Sequence, residues 1–163
     1  MQPNLIRESP TMSKPDDIPD LEDAIEQLAE FFGFNAHYDF KVDGERYRIT
    51  YRQFLPPDVE RAIQAADKSL EDCDRTEIIL PNGRKAKGPG YAIPYQRNGE
   101  ILPDQRDALR LIAMWGEEKY RKFEAYCNRI GSGSSELLTA VWAKMDAEYE
   151  KWRSTGSKSS DRD

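Results

Sequence analysis

The sequence has little of what enzymes and metalloproteins require. Its 163 residues include one histidine, His37, and two cysteines, Cys73 and Cys127. The sequence places no nucleophile or carboxylate as a partner for His37, so acid–base or nucleophilic catalysis is not indicated. The cysteines lie far apart and lack the CxxC or Cys/His spacing of a metal site, which predicts reduced thiols in a cytoplasm. We therefore expect a protein that is not an enzyme and that binds no cofactor and no metal.

Phosphate-binding loops, calcium loops and long apolar runs are also missing. Gly83, Gly88 and Gly90 belong to neither a GxxxxGK(S/T) nor a GxGxxG pattern. Asp72 and Asp74 are not part of the repeating oxygen-ligand pattern of a calcium loop. No apolar run approaches about 18 residues, the length that marks a membrane-spanning helix, and the first residues lack an export signal. We therefore expect no association with a membrane.

Basic surface is scarce as well. Aspartate and glutamate total 30 and lysine and arginine total 24, which gives a formal net charge of −6. Arg84, Lys85 and Lys87 form a small basic cluster, but three charges at a turn are usually just solvated, so no nucleic-acid partner is expected. Hydrophobic residues make up 38% of the chain, which is enough for one domain with a core.

The residues that are present divide the chain into a leader, one domain and a tail. Residues 1–19 contain four prolines and few apolar side chains, which predicts a disordered leader. Residues 154–163, with the sequence STGSKSSDRD, are small and polar and predict a disordered tail. The intervening residues 20–153 are expected to form a single α+β domain that is mainly α.

The first part of this domain, 20–71, predicts a helix, a β-hairpin and a second helix. Asp20 is a favourable N-cap for a helix over 21–32. The expected inward face of that helix consists of Leu21, Ile25, Leu28 and Phe32. Alternating apolar runs flank Asp43-Gly44, and Asp-Gly favours the type I′ turn of a hairpin. After two prolines, a second helix is expected over 58–70.

The second part of the domain contains an insertion and a helical segment. Residues 72–103 predict an irregular insertion, in which a strand over 76–80 and a turn at Asn82-Gly83 are compatible with a second hairpin. Residues 104–153 predict three helices, with a bend near Gly116 and a final helix that reaches Trp152. The expected fold is thus α+β, mainly α, with a small N-terminal β-hairpin packed with helices and a C-terminal three-helix segment.

The C-terminal helices are unusually rich in aromatic residues. Aromatic stripes at helical spacing are more often core than interface, but these helices carry more rings than a short helical hairpin can hide alone. We therefore expect some of them to bind a partner, and exposed helix faces would also allow self-association. The candidate partner-binding residues are Tyr120, Phe123, Trp142, Met145, Tyr149 and Trp152.

Three segments of the chain carry a resemblance to a known family. They are DFKVDGERYRI, RLIAMWGEEKYRKFEAY and ELLTAVWAKMDAEYEKW. In their order and texture they resemble the tail assembly chaperones of long-tailed bacteriophages, especially those that infect actinobacteria. The closest match is the run Gly116–Phe123, and the resemblance covers roughly residues 35–70 and 104–152. The insertion at 72–103 departs from the compact members of that family.

The resemblance implies a non-enzymatic assembly factor in the cytoplasm of a host cell. Such chaperones bind the tape measure protein, keep it soluble and help recruit tail tube subunits, and they are typically made as a short form and a frameshift-extended form. The alternative is a small cytoplasmic adaptor or scaffold protein that binds a helical partner. Nucleotide binding through the glycine-containing middle and DNA binding through 104–128 are further alternatives, and the acidic balance disfavours DNA binding.

Overall fold

The computed structural model describes residues 18–134 and 136–158. The elements follow in the order α1 (Leu21–Phe32), β1 (His37–Val42), β2 (Glu45–Thr50), α2 (Pro57–Lys68), β3 (Arg75–Ile79), β4 (Lys85–Tyr91), β5 (Gln96–Arg97), β6 (Glu100–Ile101), α3 (Arg106–Trp115), α4 (Glu117–Ile130) and α5 (Leu137–Lys158). A short 3₁₀ turn, Arg52–Phe54, connects β2 to α2. The strands form three antiparallel pairs, β1–β2, β3–β4 and β5–β6. The fold is α+β and mainly α, as the sequence predicts.

The first hairpin follows from its turn residues and its apolar alternation. Asp43 and Gly44 both have positive φ, 49° and 81°, which is the geometry of a type I′ turn. The resulting register pairs Phe40 with Tyr47 and Tyr38 with Ile49. Tyr47 and Ile49 are completely buried, so one face of the hairpin forms part of the core.

The outer edge of β2 is covered by side chains from the C-terminal helices. Its outward carbonyls each accept one hydrogen bond: Arg46 O from Lys119 Nζ at 2.8 Å, Arg48 O from Trp115 Nε1 at 2.8 Å, and Thr50 O from Trp142 Nε1 at 3.0 Å. These bonds join α3, α4 and α5 to one strand, and they satisfy backbone acceptors that would otherwise lie at a sheet edge.

The main core lies between this hairpin and helices α2 to α5. Leu111 of α3 and Leu138 of α5 are completely buried in it. Polar contacts fix the helices around these residues. The Arg110 guanidinium donates two 2.8 Å hydrogen bonds to the Asp67 carboxylate, which joins α3 to α2. The buried Asp107 carboxylate accepts from the Thr139 backbone N–H at 3.0 Å, which joins the starts of α3 and α5.

Two helix boundaries differ from the sequence prediction. At Gly116, with φ 90° and ψ 154°, the chain breaks between α3 and α4 rather than bending within one helix. At the other end, α5 continues to Lys158, so residues 154–158 are helical and the predicted disordered tail must be corrected there. The Ser154 and Thr155 hydroxyls bond back to the Lys151 carbonyl, at 3.0 and 2.8 Å, within the helix. Residues 159–163 and most of the predicted leader, 1–17, lie outside the described residues.

The inward face predicted for α1 is wrong in two of its four positions. Leu21 and Leu28 are exposed, and Ala29 is buried instead. Ile25 is half-buried, and the side chain of Phe32 is not among those described. Asp20 occupies the N-cap position but its side chain makes no capping hydrogen bond. The small Ala29 lets the helix pack closely against the chain that precedes β1, and this contact decides which side of α1 is turned inward.

The insertion at 72–103 is regular rather than irregular, because it forms two further hairpins. The β5–β6 turn has positive φ at Asn98, 51°, and at Gly99, 84°. The Asp74 carboxylate accepts from the N–H groups of Asn98 and Gly99 at 3.0 and 2.8 Å. These hydrogen bonds lower the pKa of the Asp74 carboxyl. Asp74 therefore ties the start of β3 to the turn of the third hairpin.

Candidate partner-binding site

Four of the six predicted partner-binding residues lie in the core. Tyr120, Phe123, Trp142 and Met145 are all buried, so their assignment to a partner surface must be corrected. They pack against the apolar face of the first hairpin, which would otherwise be exposed to solvent. The Phe123 ring, for example, lies 6.0 Å from the Phe40 ring.

The other two predicted residues, Tyr149 and Trp152, are half-buried. The Phe34 ring lies 5.8 Å from the Tyr149 ring, edge to face, and 6.1 Å from the Trp152 ring. The Tyr149 and Trp152 rings are 5.4 Å apart. This aromatic cluster attaches α5 to the chain between α1 and β1, and it leaves part of both α5 rings accessible. Partner binding by these two residues stays a prediction.

Several of the most exposed apolar side chains are on α1 and immediately before it. Leu21 is 76% exposed, Leu28 is 45% exposed and Phe31 is 81% exposed. Leu21 and Leu28 are seven residues apart and therefore lie on the same side of the helix. We call Ile18, Leu21, Leu28 and Phe31 the α1 stripe. Aliphatic and aromatic side chains at helical spacing on an exposed helix are typical of a surface that binds another helix.

Sequence reasoning missed the α1 stripe although a signal for it was present. The apolar residues of α1 occupy more of its circumference than one contact can bury: Leu21, Ala24, Ile25, Leu28, Ala29, Phe31 and Phe32. A helix with so wide an apolar arc must leave part of it exposed unless it is surrounded. Ala29 lies on the side that packs closely, and Leu21, Leu28 and Phe31 lie on the side that remains exposed.

An ion network fixes the orientation of α1 over the hairpin. The Arg48 guanidinium donates to Glu22 of α1 at 2.8 Å and to Asp39 of β1 at 2.8 and 3.0 Å. The hydrogen bond from Arg48 lowers the pKa of the Asp39 carboxyl, and the same bond raises the pKa of Arg48. Because Arg48 lies on the strand that the C-terminal helices cover, its ion pair with Glu22 adds to the packing of Ala29 in joining α1 to the rest of the domain.

The other exposed large apolar side chains of the described chain are Ile78, Ile79, Leu80, Ile93 and Ile101 in the insertion, together with Tyr38 on β1 and Ile130 at the end of α4. They are spread over several elements, whereas three of the four residues of the α1 stripe lie on one helix. The basic cluster Arg84, Lys85 and Lys87 is also exposed in the insertion, and Lys85 lies 3.7 Å from Glu77.

His37 links the two strands of the first hairpin. Its Nδ1 lies 3.2 Å from the Thr50 hydroxyl. Burial lowers the pKa of His37, and the nearby Arg48 charge lowers it further. Both effects favour the neutral form of the imidazole at the open end of the hairpin.

We expect the His37→Gln variant to lose part of the acid sensitivity of the fold. Because the folded-state pKa lies below the ordinary value of about 6.5, the unfolded chain binds the proton first. Stability from His37 is thus fully present above about pH 6.5 and falls as the pH drops through the folded pKa. Urea unfolding at pH 7 and pH 5 should show a smaller difference in unfolding free energy for the variant than for the wild type. Equal differences for the two proteins would contradict this assignment.

Both thiols of the described chain are at least partly buried. Cys73 is buried and Cys127 is half-buried, and desolvation raises the pKa of the Cys127 thiol. In residues 18–134 and 136–158, no group of three or more histidine, cysteine, aspartate or glutamate side chains is arranged to hold a metal ion. Among the described helices, none combines the length and apolar character needed to cross a bilayer.

Comparison with known proteins identifies no relative. No protein-family model, no curated protein and no solved structure matches the chain. Function must therefore rest on the residues and their geometry.

Proposed function

We propose that this chain is a tail assembly chaperone of a long-tailed bacteriophage. In the cytoplasm of the host it binds the tape measure protein, keeps that protein soluble and helps recruit tail tube subunits, without catalysis. The α1 stripe is the observation that carries the proposal, because it offers an exposed apolar helix face on an acidic protein. The resemblance of residues 35–70 and 104–152 to this family supplies the identity of the client.

The physical properties of the α1 stripe suit a helical client. Burying a leucine side chain contributes about 1.5–3 kcal/mol, so one such contact is weak. A long client that repeats amphipathic helices can gather many weak contacts of this kind, and their combined strength exceeds that of any one of them. Glu22, Asp23, Glu26 and Glu30 share α1 with the stripe, and together with the net negative charge they favour solubility of the chaperone and its complex.

The segment with the closest resemblance supports the proposal through the fold and not through a surface. Gly116–Phe123 forms the start of α4, and its two aromatic residues, Tyr120 and Phe123, are buried. Residues shared with a family for packing reasons indicate a common core. The client-binding surface is therefore sought on other elements, and α1 is the best candidate.

Co-expression with the tape measure protein of the same phage tests this function. We expect the tape measure protein to be insoluble when expressed alone, and to be soluble and co-purify when this chain is present. Matched expression with an unrelated acidic protein of similar size controls for the general effect of a soluble companion. A tape measure protein that remains insoluble, or that is soluble without co-purifying, would contradict the proposal.

The insertion favours a second candidate, a small cytoplasmic adaptor or scaffold for one defined partner. It exposes Ile79, Ile93 and Ile101, and exposed apolar side chains that form a patch are typical of a surface that binds a partner protein. The same co-expression separates the two functions, because an adaptor has no reason to solubilise the tape measure protein.

A further inference from the structure

The first hairpin has one covered edge and one open edge. Tyr51 N–H donates to Ala36 O at 2.8 Å, so the backbone of residue 36 faces β2. Backbone groups alternate in direction along an antiparallel strand. The N–H and C=O groups of Tyr38 and Phe40 therefore also point toward β2, while those of His37, Asp39 and Lys41 point away from it. The open edge is therefore the outer edge of β1.

The two edges differ in the hydrogen bonds that they receive from the rest of the described chain. All three outward carbonyls of β2 accept hydrogen bonds from helix side chains. Just before β1, the Asn35 backbone N–H donates to Glu148 Oε2 at 3.3 Å. Beyond that point, nothing in residues 18–134 and 136–158 is hydrogen-bonded to the outward backbone groups of His37, Asp39 or Lys41. Natural proteins usually protect such an edge by a covering element, a bulge, a proline or charged side chains. Among its described contacts β1 has none of the first three, and the charged side chains that it carries are Asp39 and Lys41.

A groove runs along this open edge. A cleft of about 470 Å³ lies between α1 and the hairpin, and a second cleft of about 410 Å³ lies between β1 and α5. Both clefts are lined by Asn35, His37 and Asp39, so they meet at the outer edge of β1. A strand added there would have α1 on one side and α5 on the other.

The two walls of the groove differ in chemistry. On the α5 side, Tyr38 and Ala140 provide the exposed apolar surface of the wall, and the opposite charges of Lys144 and Glu148 at its rim offset each other. On the α1 side, the wall carries the carboxylates Glu26, Glu30 and Asp39. Arg48 contacts Asp39 and lies 3.8 Å from Glu26, whereas Glu30 has no ion pair in the described chain. That wall is therefore acidic.

We propose that this groove binds an extended segment of a partner protein as a third strand on β1. Side chains of a strand alternate between its two faces, so one set would meet the apolar wall and the other the acidic wall. The matching segment therefore alternates apolar residues with lysine or arginine. Backbone hydrogen bonds to His37, Asp39 and Lys41 supply the affinity, as in other complexes formed by β-strand addition. The groove lies apart from the exposed side of α1 and does not depend on the client assigned above.

Two substitutions at one position test the backbone contact. Asp39→Pro removes the outward N–H at the centre of the edge, and its ring occupies the path of the added strand, while the hydrogen bonds to β2 stay intact. Asp39→Ala removes the same carboxylate and the same Arg48 ion pair but keeps the N–H. The probe is a synthetic hexapeptide of alternating lysine and valine, titrated into the full-length chain and followed by amide resonances in NMR.

The expected result is saturable binding to the wild type and to Asp39→Ala, and an affinity lower by about tenfold or more for Asp39→Pro. In the wild type, peptide should also slow hydrogen exchange at the amides of His37, Asp39 and Lys41, a readout that does not depend on how well the proline variant folds. A hexapeptide that alternates glutamate and valine should bind more weakly. Equal affinity for the proline and alanine variants, or no binding at millimolar peptide, would overturn the proposal.

Hydrogen exchange of the chain without peptide identifies other occupants. Protection of these three amides that does not vary with protein concentration would mean that another part of this chain fills the groove, and protection that rises with concentration would mean a second copy. Either result overturns the proposal of a partner segment. A failure of the groove proposal is distinguishable from a failure of the proposed function. The co-expression test depends on the exposed side of α1 and not on β1, so Asp39→Pro is expected to solubilise the tape measure protein as the wild type does.

Discussion

Replacing Trp142 by alanine is expected to lower the free energy of unfolding by about 3–5 kcal/mol, the usual range for truncating a buried aromatic residue. Trp142 is 8% exposed and belongs to the main core. Its indole N–H donates to Thr50 O at 3.0 Å, and the Arg52 and Arg110 guanidinium groups lie 5.8 Å from the ring centroid. The truncation removes all of these contacts and leaves a cavity between α5 and the hairpin.

Urea unfolding of Trp142→Ala and Trp142→Phe separates packing from hydrogen bonding. The phenylalanine variant keeps most of the ring volume and loses the donor to Thr50 O, so its expected loss is about 1–2 kcal/mol. A loss below about 1 kcal/mol for the alanine variant would contradict the buried position. It would also return Trp142 to the partner surface that its sequence spacing predicts.

The elements that sequence reasoning predicted well are those decided by neighbouring residues. Asp43-Gly44 determines the turn of the first hairpin because both residues accept positive φ, and the alternation on either side sets the register. Asn98-Gly99 likewise forms a turn with positive φ at both residues. The regularity of the insertion could not be predicted, since it depends on Asp74, which reaches that turn from 24 residues away.

Burial of the helices was predicted less well because helical spacing does not say which partner covers a face. The apolar spacing of Trp142 and Met145 is the same whether the helix packs on a hairpin of its own chain or on another protein. Which of the two occurs depends on contacts with distant residues such as Thr50, which is 92 residues from Trp142. In α1 the prediction fails in the opposite direction, because residues expected to be buried are exposed. The spacing of Leu21 and Leu28 predicts core positions, but the close contact is made by Ala29.

The β1 groove was beyond sequence reasoning for the same physical reason, although the wide apolar arc of α1 did indicate the α1 stripe. The groove exists because helix side chains cover the edge of β2 and, within the described residues, leave the edge of β1 uncovered, and no local pattern distinguishes the two strands. Both surfaces are what remains after long-range packing has been satisfied. A search of sequence for binding residues therefore finds the core first, since the core takes the largest share of aromatic and aliphatic side chains.

Under the proposed function, replacing Leu21 and Leu28 together by serine is expected to abolish solubilisation of the tape measure protein while the substituted chain itself stays folded. The exposed parts of the two side chains could contribute about 2–3 kcal/mol when a client covers them, which corresponds to a roughly 30- to 150-fold loss of affinity at each contact. The two leucines are 76% and 45% exposed in the free chain, so their removal should lower the unfolding free energy by only about 1 kcal/mol.

The matched control is the double variant Ile93→Ser and Ile101→Ser, whose side chains are 73% and 63% exposed. It removes a similar exposed apolar area from the insertion and leaves the α1 stripe unchanged. If α1 binds the client, the control keeps the tape measure protein soluble in co-expression and the leucine variant does not. Loss of solubilisation in the control alone would move the client to the insertion, and equal loss in both variants would mean that total apolar surface matters more than its position. Because both doubly substituted chains can be checked by urea unfolding, a difference between them reports binding rather than folding.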